Sequence, residues 1–260
     1  MRSLLPLVLL GCGAAPGLPD AAPADAAVPA DAAPADLSRD PCPAQMALVA
    51  FDGGSVCVDR YEAAVVQVLP DGGEAPWSYY DAVDGQTVRA VVAEGRKPQG
   101  YVSGVQAQAA CQRSGKRLCT SVEWLAACQG PAGTTYPYGD AYVKGACNEG
   151  RATNPVNDCF GGGNVFTYSN MNSPCCLQQP DTVAAGGAFA KCVSAWGIYD
   201  LHGNLHEWVD GTTQTGNGIF RGGFFVDATL NGKGCLYRTT AHAPSYHDYS
   251  TGFRCCAAAR

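Results

Sequence analysis

Fourteen cysteines in 260 residues set the terms on which this chain can fold. They show no obvious metal-ligand repeat, so the pattern points to an oxidising compartment and a disulfide framework. The length suits one domain of 200-odd residues plus a tail, or two small domains, and permits a real core. The formal charge is −6, with 17 Lys+Arg and no basic run, which argues against nucleic acid as a partner. Beyond the first dozen residues, no apolar stretch approaches the ~18–20 residues of a membrane span.

The chain divides into three parts. Met1-Arg2-Ser3 is a short positive start, Leu4 to Leu10 is apolar apart from Pro6, and Leu9-Leu10-Gly11-Cys12 follows. This is the grammar of a secretory signal with a cysteine just after the cut. It resembles the lipobox of bacterial lipoproteins, which implies a signal peptide over 1–12 ending at a lipidated Cys12. Residues 13–40 hold 11 Ala, 5 Pro and 5 Asp and read as an extended tether without a core. The tether and start account for half of the net charge, leaving −3 on residues 41–260. The expected location is the bacterial cell envelope, lipid-anchored at the outer membrane, with the lipid as the sole membrane contact.

Within 41–260, Met46–Phe51 and Val56–Tyr61 are β-prone runs separated by Asp52-Gly53-Gly54, a hairpin signal. Ser103 can cap a helix to about Ser114, with Gly115 as its stop. Thr120 and Glu123 form a capping box for a helix through Ala127 that ends near Gly130. Afterwards Gly, Asn, Pro and Ser dominate, with strand-like islands at Ile219–Phe225 and Gly252–Cys255. Two modest helices and many short strands, stapled by sulfur, predict an α+β domain rich in irregular loops.

Several ordered strings resemble the formylglycine-generating enzyme (sulfatase-modifying factor) family. They are Val56 to Glu62, Gly115-Lys116-Arg117-Leu118-Cys119-Thr120-Ser121-Val122-Glu123-Trp124, Tyr136-Pro137-Tyr138-Gly139, Gly197 to Trp208, Arg221-Gly222-Gly223-Phe224 and Gly252-Phe253-Arg254. The resemblance implies one domain over 41–260 with a C-type-lectin-like fold. Asp200 and Glu207 flank a Gly203-Asn204 turn, and two carboxylates with free carbonyls between them suit a hard cation such as Ca²⁺. The family places structural calcium there, which implies ligation by Asp200, Gly203, Leu205 and Glu207. A second family calcium site begins at an Asn matching Asn148, without clear partners downstream. His202 and His206 are four apart, but Gly203-Asn204 interrupts the helix that a zinc pair would need.

Thiol chemistry decides activity. The family's enzymes use two cysteines five residues apart to bind copper(I) and the substrate thiol, and soft thiolates select that ion. Cys235 matches the region of the second. Leu230 stands five residues earlier, and the strand register leads to Asp227 where the first belongs. Copper is therefore not expected, and Cys235 is expected in a structural disulfide. The resemblance implies a Cys111–Cys255 bridge and leaves Cys128 without its family partner, so Cys128 is expected to pair with Cys147. Cys42 with Cys57 would staple the opening hairpin, and Cys256 is expected to reach Cys119. The function expected is a non-catalytic module binding a protein or small ligand at the cell surface, with Tyr246, His247, Asp248 and Tyr249 as contacts. The alternative is a formylglycine-generating-type thiol oxidase using Cys235 with a partner such as Cys192.

Overall fold

The computed structural model describes residues 41–260. The expectations for residues 1–40, including the signal peptide, lipidated Cys12 and the tether, lie outside the described residues. The chain opens with β1 (Met46–Phe51) and β2 (Gly54–Asp59), antiparallel from Phe51↔Gly54 to Met46↔Asp59. Gly54 sits at φ +124°, a conformation L side chains avoid, and lets the chain reverse in two residues. Next come β3 (Ala64–Val68), β4 (Glu74–Pro76) and β5 (Val88–Val91), a small antiparallel sheet in the order β4-β3-β5.

Helix α1 (Gly104–Arg113) begins at Ser103, whose hydroxyl accepts from the Gln106 N–H while the Gln106 side chain accepts from the Ser103 N–H. Strand β6 (Arg117–Leu118) leads into α2 (Ser121–Gln129), closed at its start by the Thr120/Glu123 capping box. Each box satisfies N–H groups that have no helical partner, typically worth ~1 kcal/mol. Three short helices follow: α3 (Pro155–Phe160), α4 (Tyr168–Met171) and α5 (Cys175–Gln178). The rest comprises β7 (His206–Thr212), β8 (Gly218–Arg221), a 3₁₀ turn at Gly234–Leu236, β9 (Arg238–Thr239), β10 (Thr251–Phe253) and β11 (Cys255–Ala258). Two four-stranded sheets result, ordered β1-β2-β11-β6 and β10-β7-β8-β9. Among the described residues, no helix is long and apolar enough to cross a membrane.

The fold is α+β, loop-rich and held by six disulfides among the described residues. Successive side chains of a strand point to opposite faces, and β11 uses this. Cys255 bonds Cys111 of α1 on one side, and Cys256 bonds Cys119 on the other. The Cys111–Cys255 bridge spans 144 residues, which in the chain-entropy model is worth about 5 kcal/mol. Cys42 bonds Cys57 across the first hairpin, and Cys159 bonds Cys175.

The pairing expected for Cys128 is corrected. Cys128 bonds Cys235, Cα–Cα 5.6 Å, and Cys147 bonds Cys192. The last turn of α2 packs Cys128 into the same core cluster as Cys235, beside Trp124 and Leu201. Cys147 lies instead beside the loop in which the Cys192 carbonyl accepts from the Asp200 N–H. Proximity in sequence misled because the chain between 128 and 147 leaves the core.

Arg254 ties the two large sheets together. Fully buried, it donates to both oxygens of Glu207 at 2.6 and 2.7 Å and to the carbonyls of Asp59 and Tyr199. Trp124 Nε1 donates to the same carboxylate at 2.8 Å. A buried ion pair is tolerable where every remaining polar group is satisfied in this way.

Candidate functional site

The candidate site is a crevice of about 400 Å³ beside the 221–224 segment. Its shape depends on Gly223, at φ +75°, where an added Cβ would meet the Ala228 Cα at 2.4 Å. That close approach closes a turn in which the Phe224 N–H donates to the Asp227 carbonyl. Phe224 and Asp227 thereby both reach the crevice. Strand β7 contributes His206, whose N–H donates to the Ser250 carbonyl as β7 meets β10. The loop before β10 supplies Tyr246, Asp248, Tyr249 and Ser250, and the segment into β9 supplies Tyr237.

A continuous polar chain lines this floor. The Ser250 hydroxyl donates to Asp248 Oδ1 at 2.6 Å and lies 3.1 Å from His206 Nδ1. His206 Nε2 lies 3.1 Å from the Tyr237 hydroxyl, which is also 3.2 Å from Asp227 Oδ2. Tyr246 donates to Asp248 Oδ2 at 2.6 Å. Complete burial pushes the His206 imidazole down to about 3, and burial pushes Tyr237 up to about 12. At neutral pH the links Asp248–Ser250–His206–Tyr237–Asp227 thus share three hydrogens among four contacts.

Of the expected contact residues, Tyr246, Asp248 and Tyr249 line the crevice and His247 does not. His247 Nε2 instead lies 3.2 Å from Asp84 and 3.4 Å from the Tyr168 hydroxyl. Backbone geometry explains the split: Tyr249 and Asp248 are held by bonds to Met171 and Tyr101, and His247 points to the other side. His206, Ser250 and Tyr237 carry the polar floor, yet no motif in the sequence joins them.

Among the described residues, no cysteine lines the crevice. Cys235 faces Cys128, and the alternative partner Cys192 is bonded to Cys147. Asp227 is at the crevice, and Leu230 is 83% exposed at its rim. The one free cysteine among the described residues is Cys176, buried in another cluster, where burial pushes its thiol up to about 11.

The turn at 200–207 carries three residues in the left-handed region: Asp200 at φ 62°, Gly203 at φ 80° and Asn204 at φ 56°. Asp200, Glu207 and a third carboxylate, Glu62, are buried there. Arg254 balances Glu207, whereas among the described residues Glu62 accepts from Asn204 and the Leu205 N–H, and Asp200 accepts from the Gly187 N–H. Burial first and the neighbouring carboxylates second push Glu62 well up; burial pushes Asp200 up to about 6. An excess of buried carboxylate over guanidinium is the electrostatic condition a hard cation relieves. No group of three or more His, Cys, Asp or Glu arranged to hold a metal ion occurs among the described residues. Asn148 donates to the Thr182 carbonyl and to Asn204 Oδ1, so its amide braces this turn. His202 lies edge-on to Tyr136 with Nε2 3.3 Å from Glu149, apart from the His206 chain.

Residues 45–259 match the family described as sulfatase-modifying factor enzyme 1-like domain. "Inactive C-alpha-formylglycine-generating enzyme 2" of Mus musculus is 27% identical over 169 residues, 62% of this chain and 49% of that protein. The Bos taurus protein of the same name is 28% identical over 169 residues, 62% and 50% respectively. The chain thus spans about half the length of these curated relatives. Among solved structures, CarF aligns with a TM-score of 0.47 and 18% identity, over 80% of this chain and 87% of that one. The Major Tropism Determinant U1 variant aligns at 0.46 and 17%, over 85% and 54%. With the family match covering nearly all of 41–260, the α+β architecture is the C-type-lectin-like formylglycine-generating-enzyme fold, and the chain belongs to the sulfatase-modifying factor enzyme 1-like domain family.

Proposed function

We propose that this chain is an envelope-anchored lipoprotein whose sulfatase-modifying-factor-like domain is a non-catalytic binding module, taking a protein or small ligand of the cell surface in the 400 Å³ crevice. One observation carries the reading: Cys235 is bonded to Cys128, and a carboxylate, Asp227, stands where a second thiol is needed. Two-coordinate copper(I) ligation requires two thiolates, and the crevice offers none. The name "inactive" on two relatives supports the same reading. The test is a copper(I) competition titration with oxygen uptake on a cysteine-containing peptide. The expected outcome is no thiolate-dependent copper binding and no uptake; tight binding with peptide oxidation establishes the thiol oxidase instead.

Two further parts belong to this proposal. Calcium is a structural ion held by the Asp200 and Glu207 side chains with the Gly203 and Leu205 carbonyls, where it offsets the buried carboxylates. A chelator then lowers the melting temperature of the full chain, and calcium restores it; an unchanged melting temperature removes the ion from the account. Cys12 carries the lipid anchor, which intact-mass spectrometry reads as acyl additions; an unmodified free Cys12 contradicts the anchoring. Nucleic acid is not a partner in this reading.

A further inference from the structure

We propose that the crevice is a receptor site for an organic ammonium group bearing at least one N–H, held between aromatic walls and two carboxylates. The inference deepens the binding-module reading and rests on it. Asp227 and Asp248 both line the crevice, no lysine or arginine lines it, and neither carboxylate takes part in an ion pair among the described residues. Among the described residues, the Asp248 carboxylate accepts from the Ser250 N–H and hydroxyl and from Tyr246. Asp227 accepts from the Thr229 and Leu230 N–H groups and from two hydroxyls. Neutral donors orient a carboxylate without cancelling its charge, so two of them in one concavity give a negative potential that draws cations and repels anions.

The walls select the kind of cation. Phe224 and Tyr249 meet at 5.9 Å and 65°, forming a corner, and Tyr246 lies flat on His242 at 3.7 Å and 8°. Burial lowers the affinity of His242 for protons, so this stacked pair adds no competing charge. Aromatic faces attract alkylammonium groups by their quadrupole and pack the attached carbon chain. A bare divalent metal ion is poorly served, since it requires six or more oxygens and the crevice presents two carboxylates, both already accepting from neighbouring donors. About 400 Å³ also exceeds what a single ion fills and falls within the range of small organic ligands. The polar floor narrows the choice further. Asp227 and Asp248 are acceptors to which an ammonium N–H can donate, and a quaternary ammonium carries no such donor.

The test titrates the full chain by calorimetry with n-pentylammonium, 1-pentanol, pentanoate and tetramethylammonium. The two pentyl probes share length and apolar area and differ in charge. Pentylammonium is expected to bind about tenfold or more tighter than pentanol, as a cation between aromatic faces and carboxylates should. Tetramethylammonium is expected to fall below pentylammonium, and pentanoate to give no heat. Asp248→Asn and Asp227→Asn should each abolish most of the preference for pentylammonium over pentanol, with melting temperature measured to show that the variants fold. A lysine-containing tripeptide amide run beside pentylammonium identifies the source: tighter peptide binding indicates a protein ligand, tighter amine binding a free small molecule. Equal binding of pentanol and pentylammonium, preference for pentanoate, or no heat from any probe on folded protein overturns the inference. None of these outcomes bears on the copper titration, so the non-catalytic reading stands or falls separately.

Discussion

Removal of the Cys128–Cys235 bridge is the perturbation whose size the structure defines best. Its sequence separation is 107, and an isolated loop of that length is worth about 5 kcal/mol in the chain-entropy model. The unfolded chain is not free, however, because Cys119 remains bonded to Cys256. The shorter path between the two sulfurs runs through that bridge, with roughly nine residues on one side and roughly 21 on the other. A loop of about 30 residues gives about 3.6 kcal/mol instead. Both sulfurs are buried in the core around Trp124, so Cys128→Ala with Cys235→Ala adds about 1 kcal/mol of lost packing. The expected loss is therefore ~4–5 kcal/mol, read by urea unfolding of the oxidised protein with the other five bridges intact. A loss below about 1 kcal/mol refutes the reasoning, because it means that the two sulfurs do not cross-link the native chain. The same variant should retain crevice binding, since neither sulfur lines it.

Three further outcomes follow from particular contacts. Gly203→Ala places a Cβ 2.1 Å from the Asn148 carbonyl oxygen at φ +80°, so a loss of at least about 3 kcal/mol is expected in thermal or urea unfolding. Trp124→Phe removes a 2.8 Å hydrogen bond to the buried Glu207 carboxylate and should cost about 1.5–3 kcal/mol, measured the same way. Burial alone would raise the Glu123 carboxyl, but Arg117 and the Thr120 N–H outweigh it and hold the group below its ordinary range. A depressed carboxylate stabilises the fold above its unfolded pKa and loses that contribution as pH falls through the folded value. Glu123→Gln should therefore lower stability by ~1 kcal/mol at pH 7, and the difference from the parent chain should shrink as pH falls below the ordinary carboxylate range.

What the sequence made legible was local. Ser103, Thr120 and Glu123 announce their helices because a capping box acts over four residues, and Asp52-Gly53-Gly54 announces its hairpin for the same reason. The short helices after residue 150 stayed hidden: four to six residues carry no periodicity, and only Asn154-Pro155 offers a start signal. The strand expected over Ile219–Phe225 ends at Arg221, because Gly222 and Gly223 take left-handed angles that break the ladder. Disulfide partners divide along the same line. Cys42 lies just ahead of β1 and Cys57 on β2, 15 residues apart, whereas Cys128 and Cys235 meet only once α2 and the 3₁₀ turn pack on a shared core. The crevice was half visible. Tyr246, Asp248 and Tyr249 lie in one loop, but His206, Tyr237 and Ser250 come from three separate segments that the sheet pairing brings together.

The central claim, that this domain binds without the family's thiol chemistry, is tested most directly by mapping disulfides on native, unreduced protein after alkylation. The account predicts a Cys128–Cys235 linked peptide and, among residues 41–260, alkylation of Cys176 alone once the protein is unfolded. Alkylated Cys235 in the unreduced native protein contradicts it.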